Sequence, residues 1–556
     1  MHCDDARAQA DQAAIEALQE ALGANAVRTD AETLARYAQD TSFYSRRALA
    51  VLLPECIDDV QEIVRIAASH RICLHPVSTG RNWGYGTANS SRNGCAIVDL
   101  SHMCRIRSFD AELGLATVEP GVTQGALRAW LDDRELSFMV PTTGAGPGCS
   151  IVGNALERGY GITPINDHFG AVTALEAVLP DGSVYQSPMA DANAFCGFKW
   201  GIGPYVDGLF SQGQIGIVTS MTIALARRPQ RIEAFYFWID NDSQLEALVD
   251  TTRRILQDAG SNIGGINLMS AARFLAMSGR YPDGYDRTGP LPESVIQTLA
   301  QDAGAAAWMG IGAVYGSNGH AAATREVIRS ALNGLASRVV FMTSPKAHRL
   351  ATLLNWVPGA RADRLRTRLK VMQQGLALLE GVPAEVALPL AYWKSGEPPA
   401  CDLNPSRDRC GLFWYAPVIP LKGADARRFV DLARDVCARY GFETPVTFTS
   451  LSERSFDCTL PLLFDGTDVS ACARAEACWE ALFRAGLKTG YMPYRVHVEH
   501  GSLIASKESP YWRTVERIRK AIDPFEMLSP GRWTSDAAAS SPPESLSESM
   551  NDSINA

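Results

Sequence analysis

Hydrophobic and polar positions follow two different patterns along this chain, one before and one after about residue 230. From residue 46 to 230, short apolar runs such as RICLHPVS and AIVDL alternate with helical spacing, as at Val60, Ile63 and Val64. The short runs predict buried strands, and the helical spacing predicts amphipathic helices. This part of the chain is therefore predicted to be an α+β region rich in turns.

The chain before and after this region follows other patterns. Ile15, Leu18 and Leu22, followed by Gly23, predict an amphipathic N-terminal helix. From residue 231 to about 480, longer helical stretches such as SQLEALVDTTRRILQDAG are separated by strands such as AAWMGIGAVYG, which predicts a second domain. The tail after Trp533 is small, polar and acidic, and is predicted to be disordered.

Composition narrows the class of protein. The net charge of −9 disfavours nucleic-acid binding, which needs a basic face. No apolar run is long enough to cross a bilayer, and the acidic N-terminus does not resemble a signal peptide. The thirteen cysteines include no C-x-x-C pair. We therefore expect reduced thiols, no membrane contact and a cytoplasmic location.

The glycine-rich loops fit neither common nucleotide motif. GAGPGC ends in Cys149 and GYGTAN ends in Asn89, where the G-x-G-x-x-G pattern needs a third glycine. The chain also has no Walker loop. The segment STGRNWGYG could be a structural turn or a loop that binds a flavin pyrophosphate. Its Ser78, Thr79 and backbone N–H groups could bind an anion, and two further loops of this kind follow it.

Seven segments resemble the vanillyl-alcohol oxidase and p-cresol methylhydroxylase family of flavoproteins, and they occur in the family's order between residues 45 and 533. They are STGRNWGYGTA, VEPGVT, VGNALERGYGITPINDH, WGIGPYVDGLFSQGQIGIVTS, LFWYAPV, YMPYRVH and AIDPFEMLSPGRW. The resemblance implies an α+β fold with an FAD-binding domain and a cap domain. The expected organisation is a helical segment at 1–45, the FAD-binding domain at 46–230, the cap at 231–483, a segment returning to FAD at 484–533 and a tail at 534–556.

The resemblance also implies which residues contact FAD. They are expected in the three glycine-rich loops and near the C-terminus: Ser78, Thr79, Gly80, Arg81, Asn82, Gly84, Gly153, Asn154, Gly216, Ile217, Val218 and Arg532. Arg532 is similar to a basic position that could offset the negative charge of reduced flavin. It could equally be a surface cation.

The family binds a para-substituted phenol, as phenolate, between two tyrosines and an arginine. The matching positions are Tyr85, Tyr494 and Arg495. Two phenolic donors and a guanidinium favour the charged oxygen. The phenolate then releases hydride from the carbon attached to the ring to flavin N5, which leaves a p-quinone methide. Taken singly, Tyr85 could be a packed loop aromatic, and Tyr494 and Arg495 a strand pair with one residue solvated.

Several family members attach FAD covalently, but this chain departs from that pattern. The position of the cap-strand tether falls on Leu412, and strand alternation places Tyr415 on the opposite face. The loop 76–91 contains no histidine. We therefore expect FAD to be bound without a covalent bond.

The catalytic base of the family's oxidases is also missing. The segment VPTTGAGPGCSIVGN offers Thr142, Thr143 and Ser150 but no carboxylate. Hydroxyls are poor bases near neutral pH. Either another group replaces the base, with Asp167 and His168 as the nearest candidates, or hydration is not this protein's reaction. Asp167 could equally order the loop.

Two further positions complete the sequence-based picture. Asp457 and Cys458 stand where family members often carry paired histidines in the substrate cavity, which indicates a different para substituent or a different fate for the quinone methide. His497 and His500 are predicted to lie on opposite faces of a strand as structural histidines, without a metal.

The leading hypothesis is an FAD-dependent oxidoreductase of a para-substituted phenolic compound. One alternative is an FAD enzyme acting on a 2-hydroxy acid or another alcohol, and another is a catalytically altered homologue with a binding role. Electrons would pass to oxygen or to an electron-transfer protein. The resemblance also indicates a homo-oligomer.

Overall fold

The chain begins with a helix that packs on the first sheet. In the computed structural model, residues 2–534 are described, except for the side chains of residues 2–6, 360, 361, 364, 367 and 368. Helix α1 covers His2–Leu22 and Gly23 follows it, with Leu18 fully buried and Ile15 partly buried, so the predicted N-terminal helix is confirmed. The tail that is predicted to be disordered lies outside the described residues, apart from Thr534.

The first sheet has four short strands in the order β1-β2-β4-β3. β1 and β2 are antiparallel, whereas β4 pairs with β2 and β3 in parallel. Helix α3 (Ile57–His70) covers the sheet with Val60, Ile63, Val64 and Ala67, which recur at helical spacing and are fully buried. The strands are β1 (Val27–Arg28), β2 (Val51–Leu52), β3 (Leu74–Val77) and β4 (Ala96–Asp99).

The second sheet has five antiparallel strands in the order β5-β6-β10-β8-β9, and a two-stranded ribbon of β7 and β11 lies apart from it. The turn between β8 and β9 contains Asp181 and Gly182, with Gly182 at φ 84, so the predicted hairpin is confirmed. The strands are β5 (Ile106–Asp110), β6 (Leu115–Val118), β7 (Phe138–Met139), β8 (Val172–Val178), β9 (Val184–Gln186), β10 (Ile217–Ala224) and β11 (Ala226–Arg227).

The third sheet has eight strands, all from residues 231–465, in the order β15-β12-β14-β13-β18-β19-β16, and β17 also pairs with β19. Side chains alternate across it: Phe235 and Phe237 face one apolar cluster, and Ala234 and Tyr236 face another. The strands are β12 (Arg231–Ile239), β13 (Ile263–Ser270), β14 (Trp308–Gly316), β15 (Arg338–Met342), β16 (Cys410–Tyr415), β17 (Val418–Pro420), β18 (Thr447–Ser450) and β19 (Ser455–Asp465).

The longer helices cover the third sheet on both faces. Helix α13 buries Phe429, Val430 and Ala433 in one cluster and ends at Gly441, whose φ of 78 suits glycine. The remaining helices are α2 (Ala31–Tyr37), α4 (Gln124–Asp132), α5 (Ile151–Leu156), α6 (Pro188–Asp191), α7 (Leu245–Ala259), α8 (Ala271–Ala276), α9 (Glu293–Ala303), α10 (Asn318–Leu332), α11 (Ser344–Leu354), α12 (Ala360–Leu379), α13 (Gly423–Tyr440), α14 (Val469–Thr489), α15 (Gly501–Ile504) and α16 (Pro510–Ile522).

The end of the chain returns to the first sheet. The Leu74 N–H donates to the Met527 carbonyl at 2.9 Å, and the Ser529 N–H donates to the Leu74 carbonyl at 2.8 Å. The indole N–H of Trp533 donates to the Gln212 carbonyl at 2.8 Å. The last described residues therefore lie against loops from the first half of the chain, although the exact domain boundaries stay a prediction.

The expectation that all the cysteines are reduced is wrong at one pair. Cys73 and Cys95 form a disulfide, with their Cα atoms 4.6 Å apart. Each residue directly precedes one of the parallel strands β3 and β4, and the register pairs Leu74 with Ala96. Strand pairing brings the two residues together, and the sequence spacing gave no sign of it.

Candidate active site

The loop from Ser78 to Gly86 has the backbone of an anion-binding loop. Gly80 and Gly84 adopt φ values of 62 and 78, in the left-handed region that favours glycine. Among the described residues, the backbone N–H groups of residues 79–83 donate to no protein acceptor. Unpaired N–H groups beside left-handed turns form nests that bind phosphate oxygens. The loop therefore fits the pyrophosphate of FAD better than a simple structural turn.

The second glycine-rich loop packs closely on the first. A Cβ atom on Gly153 would lie 2.8 Å from Ser78 Oγ, and one on Gly148 would lie 2.4 Å from Arg81 Cζ. The Thr79 hydroxyl donates to the Gly148 carbonyl at 3.1 Å. A Cβ atom at either position would require the facing side chain to move, so the two loops form one closely packed surface.

The third loop joins the same region from the other side. Gly216 packs against Phe210 and the Val178 carbonyl, and Ile217 and Val218 follow it as buried residues of β10. The Gln212 side-chain amide donates to the Tyr494 carbonyl at 3.0 Å. The structure thus brings the three predicted cofactor loops together around the C-terminal segment.

Tyr85, Tyr494 and Arg495 meet at this junction. The Arg495 guanidinium carbon lies 4.2 Å from the centre of the Tyr85 ring, and one Arg495 nitrogen donates to the Asn82 side-chain oxygen. Tyr85 is 7% exposed, and its carbonyl accepts from the Val498 N–H at 3.1 Å. Burial raises the pKa of both tyrosines above their ordinary value, so both hydroxyls stay protonated and can donate at neutral pH. The alternative in which Tyr494 and Arg495 are a strand pair with one residue solvated therefore does not hold.

Glu157 connects the three residues to Arg532. It accepts from Arg532 Nη2 at 2.5 Å and lies 3.5 Å from Arg495 Nε. Burial acts to raise the pKa of Glu157, but the two guanidinium groups hold it below its ordinary value overall. Arg532 is therefore paired with a carboxylate beside the candidate site and is not a free surface cation.

Asp457 was expected in the substrate cavity, but its sequence position did not indicate a proton-transfer role. It lies on β19, is 4% exposed, and its Oδ1 has no partner among the described residues. Burial raises the pKa of Asp457 to about 7, although hydrogen bonding from Tyr494 and the charges of Arg495 and Arg273 act to lower it. A carboxyl that titrates near neutral pH can accept or release a proton there.

No motif in the sequence indicates that Arg273 belongs to the site. It lies on α8, is 8% exposed, and its guanidinium carbon is 5.3 Å from the centre of the Trp414 ring. Trp414 in turn contacts the loop before Tyr85, with its indole N–H 3.2 Å from the Trp83 carbonyl. The available sequence signals were a lone charge in each of two apolar segments, SAARFLAM and FDCTLPLLF.

The residues expected to replace the missing base lie outside this cluster. Asp167 is exposed, and its carboxylate accepts from the Gly170 N–H at 2.8 Å. His168 is hydrogen-bonded to Asn154 at 2.5 Å, and burial lowers its pKa to about 4, so the ring is neutral. A direct role for Asp167 stays a prediction, whereas the buried cluster offers Asp457 in its place.

The three hydroxyls of the same segment are already in use. Thr142 donates to the Leu378 carbonyl at 2.9 Å and Ser150 donates to the Pro120 carbonyl at 2.6 Å. Thr143 accepts from the Gln124 side-chain amide at 3.1 Å. These contacts give the hydroxyls structural roles.

Leu412 and Tyr415 lie on opposite faces of β16, as the alternation predicts. Leu412 faces the first loop, because a Cβ atom on Gly84 would lie 3.1 Å from Leu412 Cγ. Tyr415 points into the core, where its hydroxyl donates to the Tyr491 carbonyl at 3.4 Å. The side chain at the family's tether position is therefore an aliphatic one.

The prediction of a strand around His497 and His500 is wrong. Val498–His500 form a 3₁₀ turn, and both histidines are buried. His497 pairs with Asp40 at 2.8 Å, and His500 pairs with Glu476 at 2.8 Å. Burial acts to lower the pKa of His497, but Asp40 raises it overall. Among the side chains that the structure describes, no group of three metal-ligating residues converges. None of the described helices is long and apolar enough to cross a bilayer.

Comparison with known proteins agrees with this arrangement. Residues 48–187 match the FAD binding domain family. The chain is 34% identical to 1'-carboxy-chondrochloren decarboxylase of Chondromyces crocatus, over 94% of this chain and 96% of the relative. It is 29% identical to the 4-cresol dehydrogenase [hydroxylating] flavoprotein subunit of Pseudomonas putida, over 87% of each chain.

A solved structure shows the same fold. The 4-ethylphenol oxidase of Gulosibacter chungangensis, in complex with isoeugenol, aligns with a TM-score of 0.83 at 27% identity, over 97% of this chain and 98% of that chain. Its likeness extends over both the FAD-binding part and the cap. The chain therefore belongs to the vanillyl-alcohol oxidase and p-cresol methylhydroxylase family and is an FAD-dependent oxidoreductase.

Proposed function

We propose that this enzyme oxidises a para-substituted phenol by removing hydride from the side-chain carbon attached to the ring. The observation that carries the proposal is the buried meeting of Tyr85, Tyr494 and Arg495 beside the three glycine-rich loops. Two protonated phenols and one guanidinium form a donor set suited to a phenolate oxygen.

Asp457 is proposed to take the proton of the substrate phenol. Tyr494 interacts with the Asp457 carboxyl, and its own hydroxyl can contact the substrate oxygen at the same time. A proton can therefore pass from the substrate through Tyr494 to Asp457. Because the pKa of Asp457 is about 7, the carboxylate needed for this step forms near neutral pH.

The phenolate then supplies electron density to the carbon opposite its oxygen. FAD, which the three glycine-rich loops would hold, would supply the hydride acceptor for the carbon attached there. Arg495 and the two tyrosines hold the oxygen while its charge decreases, and the substrate becomes a neutral p-quinone methide. The same three residues also orient the ring for this step.

Loss of CO2 is the proposed fate of this quinone methide. The segment 141–154 has no carboxylate to assist water, and its hydroxyls are engaged. The name of the Chondromyces relative describes a decarboxylase. If the second side-chain carbon carries a carboxylate, the electron pair of its bond to CO2 forms the side-chain double bond and restores the phenolate, which balances the reaction.

Anaerobic mixing of the holoenzyme with phenols tests the proposal. We expect 4-alkylphenols or 3-(4-hydroxyphenyl)propanoate to bleach the flavin absorbance, and lactate to leave it unchanged. Bleaching by lactate alone would favour the 2-hydroxy acid alternative, and a protein that binds no FAD would favour the binding role. Readmission of oxygen then shows whether oxygen or an electron-transfer protein is the acceptor, and light scattering measures the proposed homo-oligomer.

A further inference from the structure

The Arg273 side chain is a buried cation with unused hydrogen-bond donors. It is 8% exposed, and neither Nε nor Nη1 has a partner among the described residues. Burying a guanidinium without hydrogen bonds is unfavourable, because its hydration is lost without replacement. Consistent with that loss, burial lowers the pKa of Arg273 to about 10, and Asp457 only partly offsets the shift.

Asp457 does not act as an ion-pair partner of Arg273. A guanidinium that pairs with a carboxylate normally makes short, often bidentate, contacts. Here the two groups make no hydrogen bond or ion pair among the described residues, and Asp457 Oδ1 is also without a partner. The carboxyl interacts instead with Tyr494. The donors of Arg273 are therefore available to another anion.

Arg273 borders the proposed phenol site through two of its neighbours. Trp414, over which the guanidinium lies, also contacts Gly84, the residue before Tyr85. Asp457, whose charge acts on Arg273, interacts with Tyr494. A ligand bound by Tyr85 and Tyr494 therefore lies beside residues that also neighbour Arg273.

We propose that Arg273 binds a carboxylate carried by the side chain of the phenolic substrate. The substrate class is then the 3-(4-hydroxyaryl)propanoates, in which the carboxylate is on the second side-chain carbon. This inference rests on the proposed function and assigns its specificity to one residue. Each edge of a guanidinium carries two parallel N–H groups that match the two oxygens of a carboxylate, and such a contact orients the bond that breaks when CO2 leaves.

Ligand binding to the anaerobic holoenzyme tests the inference. The probes are 3-(4-hydroxyphenyl)propanoate and its uncharged amide, 3-(4-hydroxyphenyl)propanamide, followed by flavin absorbance changes. Arg273→Leu should weaken binding of the carboxylate about 100-fold and binding of the amide by less than about threefold. Arg273→Lys keeps the positive charge but lacks the paired N–H donors of the guanidinium. It should therefore weaken binding of the carboxylate by only about tenfold.

Arg434→Leu serves as the matched control. Arg434 is on α13 and pairs with Asp242 at 2.8 Å, outside the candidate site. The dissociation constants of both probes should therefore stay at the wild-type values. FAD content per protein reports on folding, and Arg273→Lys still tests the inference if Arg273→Leu does not fold.

Three outcomes would overturn the inference. If the Arg273 variants bound the carboxylate and the amide equally more weakly, the arginine would only offset the charge of Asp457. Flavin bleaching by both probes, with no preference for the carboxylate, would agree with the proposed phenol oxidation and contradict only the carboxylate site. No bleaching by any phenol would contradict both the phenol oxidation and the carboxylate site.

Discussion

The guanidinium of Arg495 stacks on the ring of Tyr85, with its central carbon 4.2 Å from the ring centre. The two residues come from opposite ends of the chain, and Asn82 and Glu157 fix the orientation of the arginine. The arginine is therefore held in place before any substrate arrives. Such preorganisation allows its charge to act on a phenolate without rearrangement.

Arg495→Ala is expected to lower the rate of flavin reduction by a phenol about 100-fold, because the phenolate loses a charge-assisted donor. FAD content should fall much less, since Arg532 still neutralises Glu157. Tyr494→Phe should likewise lower the rate of flavin reduction much more than it lowers FAD content. Stopped-flow reduction rates and flavin-to-protein absorbance ratios measure both effects. Equal losses of rate and FAD would mean that these residues bind the cofactor and not the substrate.

Asp457→Asn should remove a pH dependence near neutrality. The ionised carboxyl is the form that accepts the proton, and its pKa is about 7. In the wild type, kcat/KM should rise about tenfold per pH unit below this value and level off above it. The variant should be slower at high pH and lack this inflection. A profile that keeps its inflection in the variant would assign it to another group.

The same carboxyl should make the folded state less stable as the pH rises. Its pKa is about 7 in the folded chain against a reference value of 3.8, so between these values the folded state binds more protons than the unfolded state. The free energy of unfolding then falls by at most about 1.4 kcal/mol per pH unit. Urea unfolding at about pH 5 and about pH 8 should show a smaller fall for Asp457→Asn than for the wild type.

Gly84→Ala should disturb the junction of the first loop with β16. The added Cβ atom would lie 2.3 Å from Trp414 Cδ1. Gly182→Ala is the control, because Gly182 has a similar φ of 84 but no atom within 4 Å of the added group. We expect Gly84→Ala to lower the free energy of unfolding by about 2 kcal/mol more than the control. Thermal unfolding measures this difference, and equal losses would contradict the contact.

FAD should be released when the protein is denatured in acid. The residue at the family's cap-strand tether position is Leu412, which faces the first loop and cannot form a bond to the flavin. The supernatant after acid precipitation should contain the flavin absorbance and the pellet should be colourless. A yellow pellet would show a covalent bond and would require a tether at another residue.

The sequence predicts those parts of the site that lie in continuous motifs. Tyr85 follows a glycine-rich loop and Tyr494 stands beside Arg495, so motif order alone identifies them. Asp457 and Arg273 are different, because their importance arises from burial and from neighbours distant in the chain. A single polar residue in an apolar segment shows that something must stabilise it, but not which partner does so.

Local pattern failed where tertiary contacts determine the backbone. The segment around His497 alternates like a strand, yet it forms a 3₁₀ turn in which each histidine pairs with a carboxylate from another part of the chain. Asp40 and Glu476 are not near these histidines in sequence. Helices α3 and α13 were predictable because their apolar faces follow one period over several turns.

The return of residues 494–533 to the first loops has a consequence for biosynthesis. A ribosome completes the three glycine-rich loops long before it reaches Tyr494, Arg495 and Arg532. Until these residues emerge, Tyr85 lacks the arginine against its ring and Glu157 lacks both of its cations. The proposed site therefore stays incomplete in the nascent chain until residues 494–533 have emerged and folded back onto the first loops.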